Sequence, residues 1–312
     1  MIAVRLTGGL GNQMFQYAAG RALAYRLGTE LALDCSSYRR EWLHSYALDH
    51  FKIAGHVEPV RRIRRRLRGA TGGNGLPVVR EVQGVLCKDL FQAGDNVYLH
   101  GYWQSPRYFE DIAVTLRSEF TPRAPLSGPD ANLAARIAAS NAVCVHVRRG
   151  DYVTVGATNR LFGTCSPDYY RRAMHVISRQ VERPCFFVFS NDPAWARQHV
   201  RGEQPVVHVT HNYRRRHTGL EGFRLGRAFV RLFKALYADR GYRDLHLMSL
   251  CRHFIVANST FSWWAAWLGR SPDKIVCVPR SWFAPRSDDP DGEQEMRRDF
   301  EHLLIPSGWR RV

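Results

Sequence analysis

Two α/β domains, each built on a parallel sheet and facing one another across a cleft, are what the order of segments along this chain predicts. Three observations carry that expectation. The chain opens as strand, helix and strand; a Pro-, Gly- and Ser-rich stretch interrupts it from Pro122 to Pro129; and the alternation then resumes with a fully apolar strand.

In the opening unit, Ile2 to Thr7 alternates as a strand and stops at Gly8-Gly9. Asn12 is placed to cap a helix running to Leu27, with Gly28 as its C-terminal stop. Glu30 to Asp34 is a second short strand, which completes a βαβ opening. Residues 55–95 read as irregular and basic, with Arg61, Arg62, Arg64, Arg65, Arg66 and Arg68 followed by a flexible run from Gly69 to Gly75. The Pro122 to Pro129 linker divides a first domain, 1–125, from a second, 135–312. There Ala142 to Arg148 is a continuous apolar strand, as a buried parallel sheet requires. Ser166-Pro167-Asp168 starts a helix, with Ser as cap and Pro at the first position. Cys185 to Phe189, Val206 to Val209, Phe254 to Ala257 and Ile275 to Val278 supply further strands, so this half has the pattern of a nucleotide-binding domain.

Composition sets the class. A hydrophobic share of 45% and a charged share of 23% exclude a disordered or fibrous chain. Lys+Arg 45 against Asp+Glu 28 gives a net charge of +17, and the cations are arginines apart from Lys52, Lys88, Lys234 and Lys274. Such a chain needs anionic company: nucleic acid, phosphorylated substrates or an anionic membrane. An Arg-biased composition accounts equally well for arginines on the surface, and poorly for those inside motifs. The seven cysteines form no C-x-x-C pair, which argues against a zinc site and a disulfide framework. Cys144, Cys185 and Cys277 lie in apolar runs and read as buried thiols of a reducing cytoplasm. The N-terminus carries no signal-like segment and no run approaches ~20 apolar residues, so the expected place is the cytoplasm, peripherally on the inner face of the membrane.

Four motifs carry chemistry. Gly8-Gly9-Leu10-Gly11-Asn12-Gln13 lies between a strand and a helix, where glycines let backbone N–H groups approach an oxyanion. It is no P-loop, and as a dinucleotide fingerprint it has Met14 where a third Gly belongs. Asp34 mimics a ribose-binding acid and keeps a nicotinamide-dependent oxidoreductase as the alternative reading. His146-Val147-Arg148-Arg149-Gly150-Asp151-Tyr152 ends the apolar strand; adjacent arginines there point opposite ways, and a guanidinium fork matches phosphate oxygens. Asp151 could orient one of them. In Ser190-Asn191-Asp192-Pro193 a carboxylate can pair with guanine's ring N–H and amine, or simply cap a helix; the two readings stand level. Asn258-Ser259-Thr260-Phe261-Ser262-Trp263-Trp264-Ala265-Ala266-Trp267 opens a helix with hydroxyl residues, a phosphate site in form. Its tryptophans read as core. The D-x-D string Asp289-Pro290-Asp291 reads as a solvated loop rather than a metal site.

The ordered set GGLGNQMFQYA, GYWQS, HVRRGDY, SNDPAW, LMSLC and NSTFSWWAAWLG resembles the bacterial alpha-1,2-fucosyltransferases, glycosyltransferase family 11, over nearly the whole chain. That resemblance implies a GT-B-like fold of two Rossmann-like domains facing a cleft, with GDP-fucose bound in the second. It implies inverting, metal-independent transfer of fucose to the 2-hydroxyl of a galactose-terminated glycan, with no cofactor beyond the donor. A nucleic-acid-binding module, which the charge and the run Arg61 to Arg68 would suit, is set aside because no recognised binding motif is present. Carried over, Arg148 matches the arginine that grips the β-phosphate, with Arg149 beside it; His146 and Asp192 match groups near the guanine. Thr260 and Ser262 match the phosphate-contacting segment, and Asn12 matches an asparagine facing the reacting sugar. Tyr102, Trp103 and Gln104 are expected on the acceptor side. The chain departs from the family pattern in its long basic segment 210–243, in Ala265 for Gly and in Asn191 for Asp. Asp34, His44 and His100 are candidate bases by residue type alone, and none is assigned.

Overall fold

Short apolar strands that cannot alternate polar and apolar residues must be covered on both faces, and here they assemble into two parallel sheets. The computed structural model describes residues 1–39, 41, 44–72, 75–82, 84–213, 241–284 and 291–312. The first compact unit is Met1–Arg123 with Asp288–Pro306, and the second is Ala124–Ser287 with Ser307–Val312.

In the first unit, β1 (Ile2–Arg5), β2 (Leu31–Asp34), β3 (His56–Val57), β4 (Val78–Arg80) and β5 (Val97–His100) lie in the order β3-β2-β1-β5-β4, all parallel. The helix after β1 spans Leu10–Arg26, beginning before Asn12. Gly9 is its N-cap without a side-chain bond, so Asn12 sits inside the first turn. Gly28, at φ +61°, ends the turn beyond it as expected. Gly20 lets this helix approach the sheet, since a Cβ there would stand 3.0 Å from Leu31 Cδ1.

The expectation of irregular chain over 55–95 is wrong. A helix covers Val60–Thr71, β3 and β4 flank it, and Lys88–Gln92 is a further helix. Arginine is a good helix former, and Ile63 and Leu67, four apart, are wholly buried against Met1, Ala3, Ala32 and Tyr98. A stripe only two side chains long is easily lost among arginines.

The second unit carries β6 (Asn141–Val147), β7 (Pro184–Ser190), β8 (Val206–Val209), β9 (His253–Ile255), β10 (Val276–Val278) and β11 (Arg310–Arg311). Their order is β11-β10-β9-β6-β7-β8, again all parallel. Ser166 caps the Pro167–Ser178 helix as expected, accepting from Tyr169 N at 3.2 Å. The α/β class with two parallel sheets is therefore the one foreseen.

The helix Asp291–Leu304 belongs to the first unit, although it lies in the chain between β10 and β11 of the second. Ser105 Oγ donates to Leu303 O at 2.9 Å, and Met296 packs against Gly84. Asp291 thus opens a helix rather than sitting in a loop, while Asp289, Pro290, Arg214–Arg216 and His217 lie outside the described residues. All seven cysteines are free; Cys144 and Cys277 are buried and Cys185 is half-buried. Among the described residues no helix is long and apolar enough to cross a membrane.

Candidate active site

In the second sheet, the chain steps outward from β6 to β7 and β8, then returns to place β9 on the other side of β6. A crevice opens beyond the carboxyl ends of strands where the order reverses in this way, and ligands of open α/β sheets bind there. His146, near the end of β6, and Phe261, at the start of the Thr260–Leu268 helix after β9, bring their rings to 5.5 Å. Two motifs more than a hundred residues apart in the chain thus meet at one switch point.

His146 is buried and its Nδ1 has no hydrogen-bond partner. Burial first, and then the Arg148 charge, push its pKa down to about 3, so the imidazole is neutral at any physiological pH. Arg148 pairs through Nη2 with Asp151 Oδ1 at 2.7 Å and stands 5.2 Å over the Tyr152 ring. Its Nε is buried without a partner. Leaving such a donor unmade costs about 1–3 kcal/mol, which marks it as a group awaiting an acceptor.

Arg149 turns the other way. Its Nε donates to Asp192 Oδ2 at 3.1 Å and its guanidinium lies 4.3 Å over the Trp195 ring. Its backbone N–H donates to Asn191 Oδ1 at 2.8 Å, and a Cβ on Gly150 would stand 2.4 Å from Asn191 Nδ2. Gly150, at φ +24°, is therefore required where the two strand ends lock together. Asp192 is a helix cap, its Oδ1 accepting from Trp195 N at 3.2 Å, and an ion-pair partner of Arg149 as well.

The hydroxyl helix departs from expectation at one position. Ser262 is fully buried and its Oγ donates back to Ala257 O at 3.3 Å and Ser259 O at 3.2 Å, so this hydroxyl is turned away from any phosphate. Thr260 is half-buried at the first position. The first-turn N–H groups of the helix precede its first intrahelical bond, Trp263 N to Ser259 O, and with the helix dipole they favour an anion. Trp263, Trp264 and Trp267 are core, with Trp263 and Trp267 stacked at 6.3 Å.

The first sheet has its own switch point, between β1 and β5. The glycine loop follows β1 and the Gly101–Gln104 turn follows β5. Gln104 Nε2 donates to Asn12 Oδ1 at 2.9 Å. Gln16, fully buried, accepts from Thr7 N at 2.9 Å and donates to Gly101 O at 3.2 Å, so it staples both loops. Tyr102 is exposed, but Trp103 is wholly buried against Tyr108 and cannot line an acceptor surface. Of the candidate bases, Asp34 is buried and accepts from Tyr98 Oη at 2.6 Å and Ser36 N at 2.8 Å. Neither ribose nor an acceptor hydroxyl can claim it. His100 lies between Arg5 and Arg80, and burial first, then these two charges, lower its pKa. His44 lies beside Gly9, 3.4 Å from where a Cβ would stand.

Residues 85–297 match the family described as Glycosyl transferase family 11. The chain belongs to that family. It is a glycosyltransferase, and the oxidoreductase reading falls with the family and with Asp34. Similarity extends beyond the matched span. An Escherichia coli alpha-1,2-colitosyltransferase is 29% identical over 100% of this chain and 99% of its own. The O-antigen biosynthesis glycosyltransferase WbnK of Escherichia coli is 28% identical over 89% of this chain and 94% of its own. A mouse galactoside 2-alpha-L-fucosyltransferase, Sec1, is 26% identical over 86% of this chain and 64% of its own.

Three residues were assigned no role from the sequence, although Tyr152 and Asn258 lie inside its motifs. Asn258 donates through Nδ2 to Phe162 O at 2.8 Å and Trp282 O at 3.1 Å, and its carbonyl accepts from Tyr152 Oη at 3.1 Å. Tyr152 thereby joins the arginine motif to the hydroxyl helix. Glu81, just after β4, accepts at Oε2 from Tyr102 N at 2.7 Å and Trp103 N at 2.6 Å. Burial raises its pKa while these backbone donors pull it down, and the rise prevails. A lone Glu after a short edge strand carries no local signal of that role.

Proposed function

We propose that this transferase moves L-fucose from GDP-fucose to the 2-hydroxyl of a terminal galactose in a glycan, inverting C1 and using no metal. The bond from C1 to the β-phosphate oxygen breaks, the acceptor oxygen bonds to C1 from the opposite face, and the acceptor proton is released. Charge grows on the departing phosphate, and the group best suited to meet it is Arg148. Its buried, unpartnered Nε, held beside Asp151 at the switch point, is the observation that carries the reading. His146, Thr260 and the first turn of the Thr260–Leu268 helix would complete the nucleotide site; Ser262 would contribute its backbone and not its hydroxyl. Arg149 would act from behind, holding Asp192 near the base. Asn12, held by Gln104, would face the sugar. Action at the cytoplasmic face of a membrane, peripherally, fits the same reading.

The colitosyltransferase relative supports a second donor. Colitose is fucose without its 3-hydroxyl, so one pocket can serve both unless it is built to bond that group. The deciding experiment incubates the protein with GDP-fucose or GDP-colitose, a panel of galactosides and excess EDTA, and solves the product linkage. A β-linked product, transfer to a hydroxyl other than O2, or activity lost to EDTA and restored by Mn²⁺ would each overturn a stated part of the proposal.

Asp192 supplies a separate test. Asp192→Ala removes a helix cap, at about 1 kcal/mol of stability, whatever else the residue does. If its remaining lone pairs also meet guanine's N–H and amine, GDP will lose its advantage over UDP as an inhibitor in the variant. An unchanged GDP preference would leave Asp192 as a cap and as the anchor of Arg149.

A further inference from the structure

We propose that the first unit carries an arginine surface that docks on an anionic phospholipid bilayer. The proposal deepens the membrane element of the reading above, and it depends on neither the donor nor the acceptor.

Two observations converge on one face of the first sheet. The Val60–Thr71 helix turns Ile63 and Leu67 fully inward, and Arg61, Arg64 and Arg65 stand exposed. Strand alternation supplies the second. Ala3 and Tyr98 pack against that helix, and residues two further along a strand share its face. Arg5 and His100 are those residues, and Arg80 pairs with His100 in register. Arg5 Nη1 and Arg80 Nη1 both reach the His100 ring, at 3.0 and 2.6 Å. A neutral imidazole has one lone pair in its plane, so it cannot accept from both guanidiniums, and this cluster is left with positive charge to satisfy.

The carboxylates on this side of the sheet are already engaged. Glu58 pairs with Arg62 and Arg66, each at 3.0 Å, and Glu30 pairs with Arg66. Asp34 is buried under Tyr98. Among the described residues, no carboxylate lies within ion-pair distance of Arg5, Arg61, Arg64, Arg65 or Arg80. The one ring of the patch, that of His100, is engaged by Arg5 and Arg80, so it offers no free platform on which single-stranded bases could stack. Fluid headgroups can gather around such an array without a preset spacing. Because the apolar stripe of the helix faces inward, no side chain of it inserts into the bilayer. Attachment is therefore electrostatic and reversible, each arginine strengthening it about fivefold, and salt weakens it.

The test is co-sedimentation of the full chain, without nucleotide or acceptor, with vesicles of phosphatidylglycerol in phosphatidylcholine or of phosphatidylcholine alone. Binding is expected only to the anionic vesicles and should be lost at high salt. The R61Q/R64Q/R65Q variant should partition roughly a hundredfold less, and R61K/R64K/R65K should bind as the parent does. Equal recovery on both vesicle types overturns the proposal, as does a Gln variant that sediments like the parent. Displacement from the vesicles by duplex DNA of equal phosphate concentration also overturns it and assigns the patch to nucleic acid. Salt titration of the unmodified chain provides a readout that no folding defect can confuse. Transfer to a soluble galactoside is measured separately, so this proposal and the proposed reaction can fail independently.

Discussion

Arg148→Lys is expected to lower the transfer rate by about two to three orders of magnitude in a protein that remains folded. The arginine does two things at once: Nη2 holds Asp151 at 2.7 Å while Nε stays buried and unpartnered. A lysine offers one compact ammonium on a flexible stem and can serve one of those positions, not both. If it keeps Asp151, the position of Nε is empty of any donor and the departing phosphate loses its positioned partner. Loss of one positioned donor to a developing oxyanion is typically worth ~10²–10³ in rate, and that sets the estimate. Single-turnover rates with GDP-fucose, alongside thermal melting to confirm folding, measure it. A folded variant with near-parental turnover would remove Arg148 from the mechanism. Because His146 is neutral with a pKa near 3, the rate of the parent should show no step from this imidazole across the physiological pH range.

Gly101→Ala is expected to reduce the catalytic constant about a hundredfold while leaving GDP affinity unchanged. A Cβ at this position would stand 2.4 Å from Glu81 Cβ and 2.8 Å from Glu81 Oε2. Glu81 cannot withdraw, because its carboxylate holds the backbone N–H groups of Tyr102 and Trp103. Trp103 cannot swing either: it is wholly buried and its φ is +57°, a strained left-handed conformation that the turn imposes. The whole turn must therefore shift, and Gln104, which holds Asn12 at 2.9 Å, shifts with it. A displacement of about 1 Å at a positioned group can cost on the order of 10² in rate. The residues proposed to hold the nucleotide lie in the other compact unit, so GDP binding serves as the control. Unchanged turnover in Gly101→Ala would show that neither the turn nor Asn12 serves the reaction; a parallel fall in GDP affinity would point instead to general unfolding.

What the sequence by itself determined was chain-local. The apolar strand ending at Val147, the cap at Ser166 and the stop at Gly28 all depend on neighbours within a few residues, where period and propensity act directly. The divergence of Arg148 and Arg149 was expected from strand alternation and is what the structure shows, although both lie just past the end of β6, where Asp151 and Asp192 hold them apart. The helix over Val60–Thr71 was within reach in principle, but its two inward side chains gain their meaning only from the sheet beneath them. The rest required tertiary structure because the partners are remote in the chain. Register decides that His146 meets Phe261, that Gln104 meets Asn12 and that Arg5 lies beside His100. Packing decides that Trp103 enters the core, that Ser262 turns its hydroxyl back, and that Asp291–Leu304 joins the first unit. A residue type and its spacing show which chemistry is available; only the pairing of distant strands, through hydrogen bonds and buried area that no short window contains, decides which of those groups remain free to perform it.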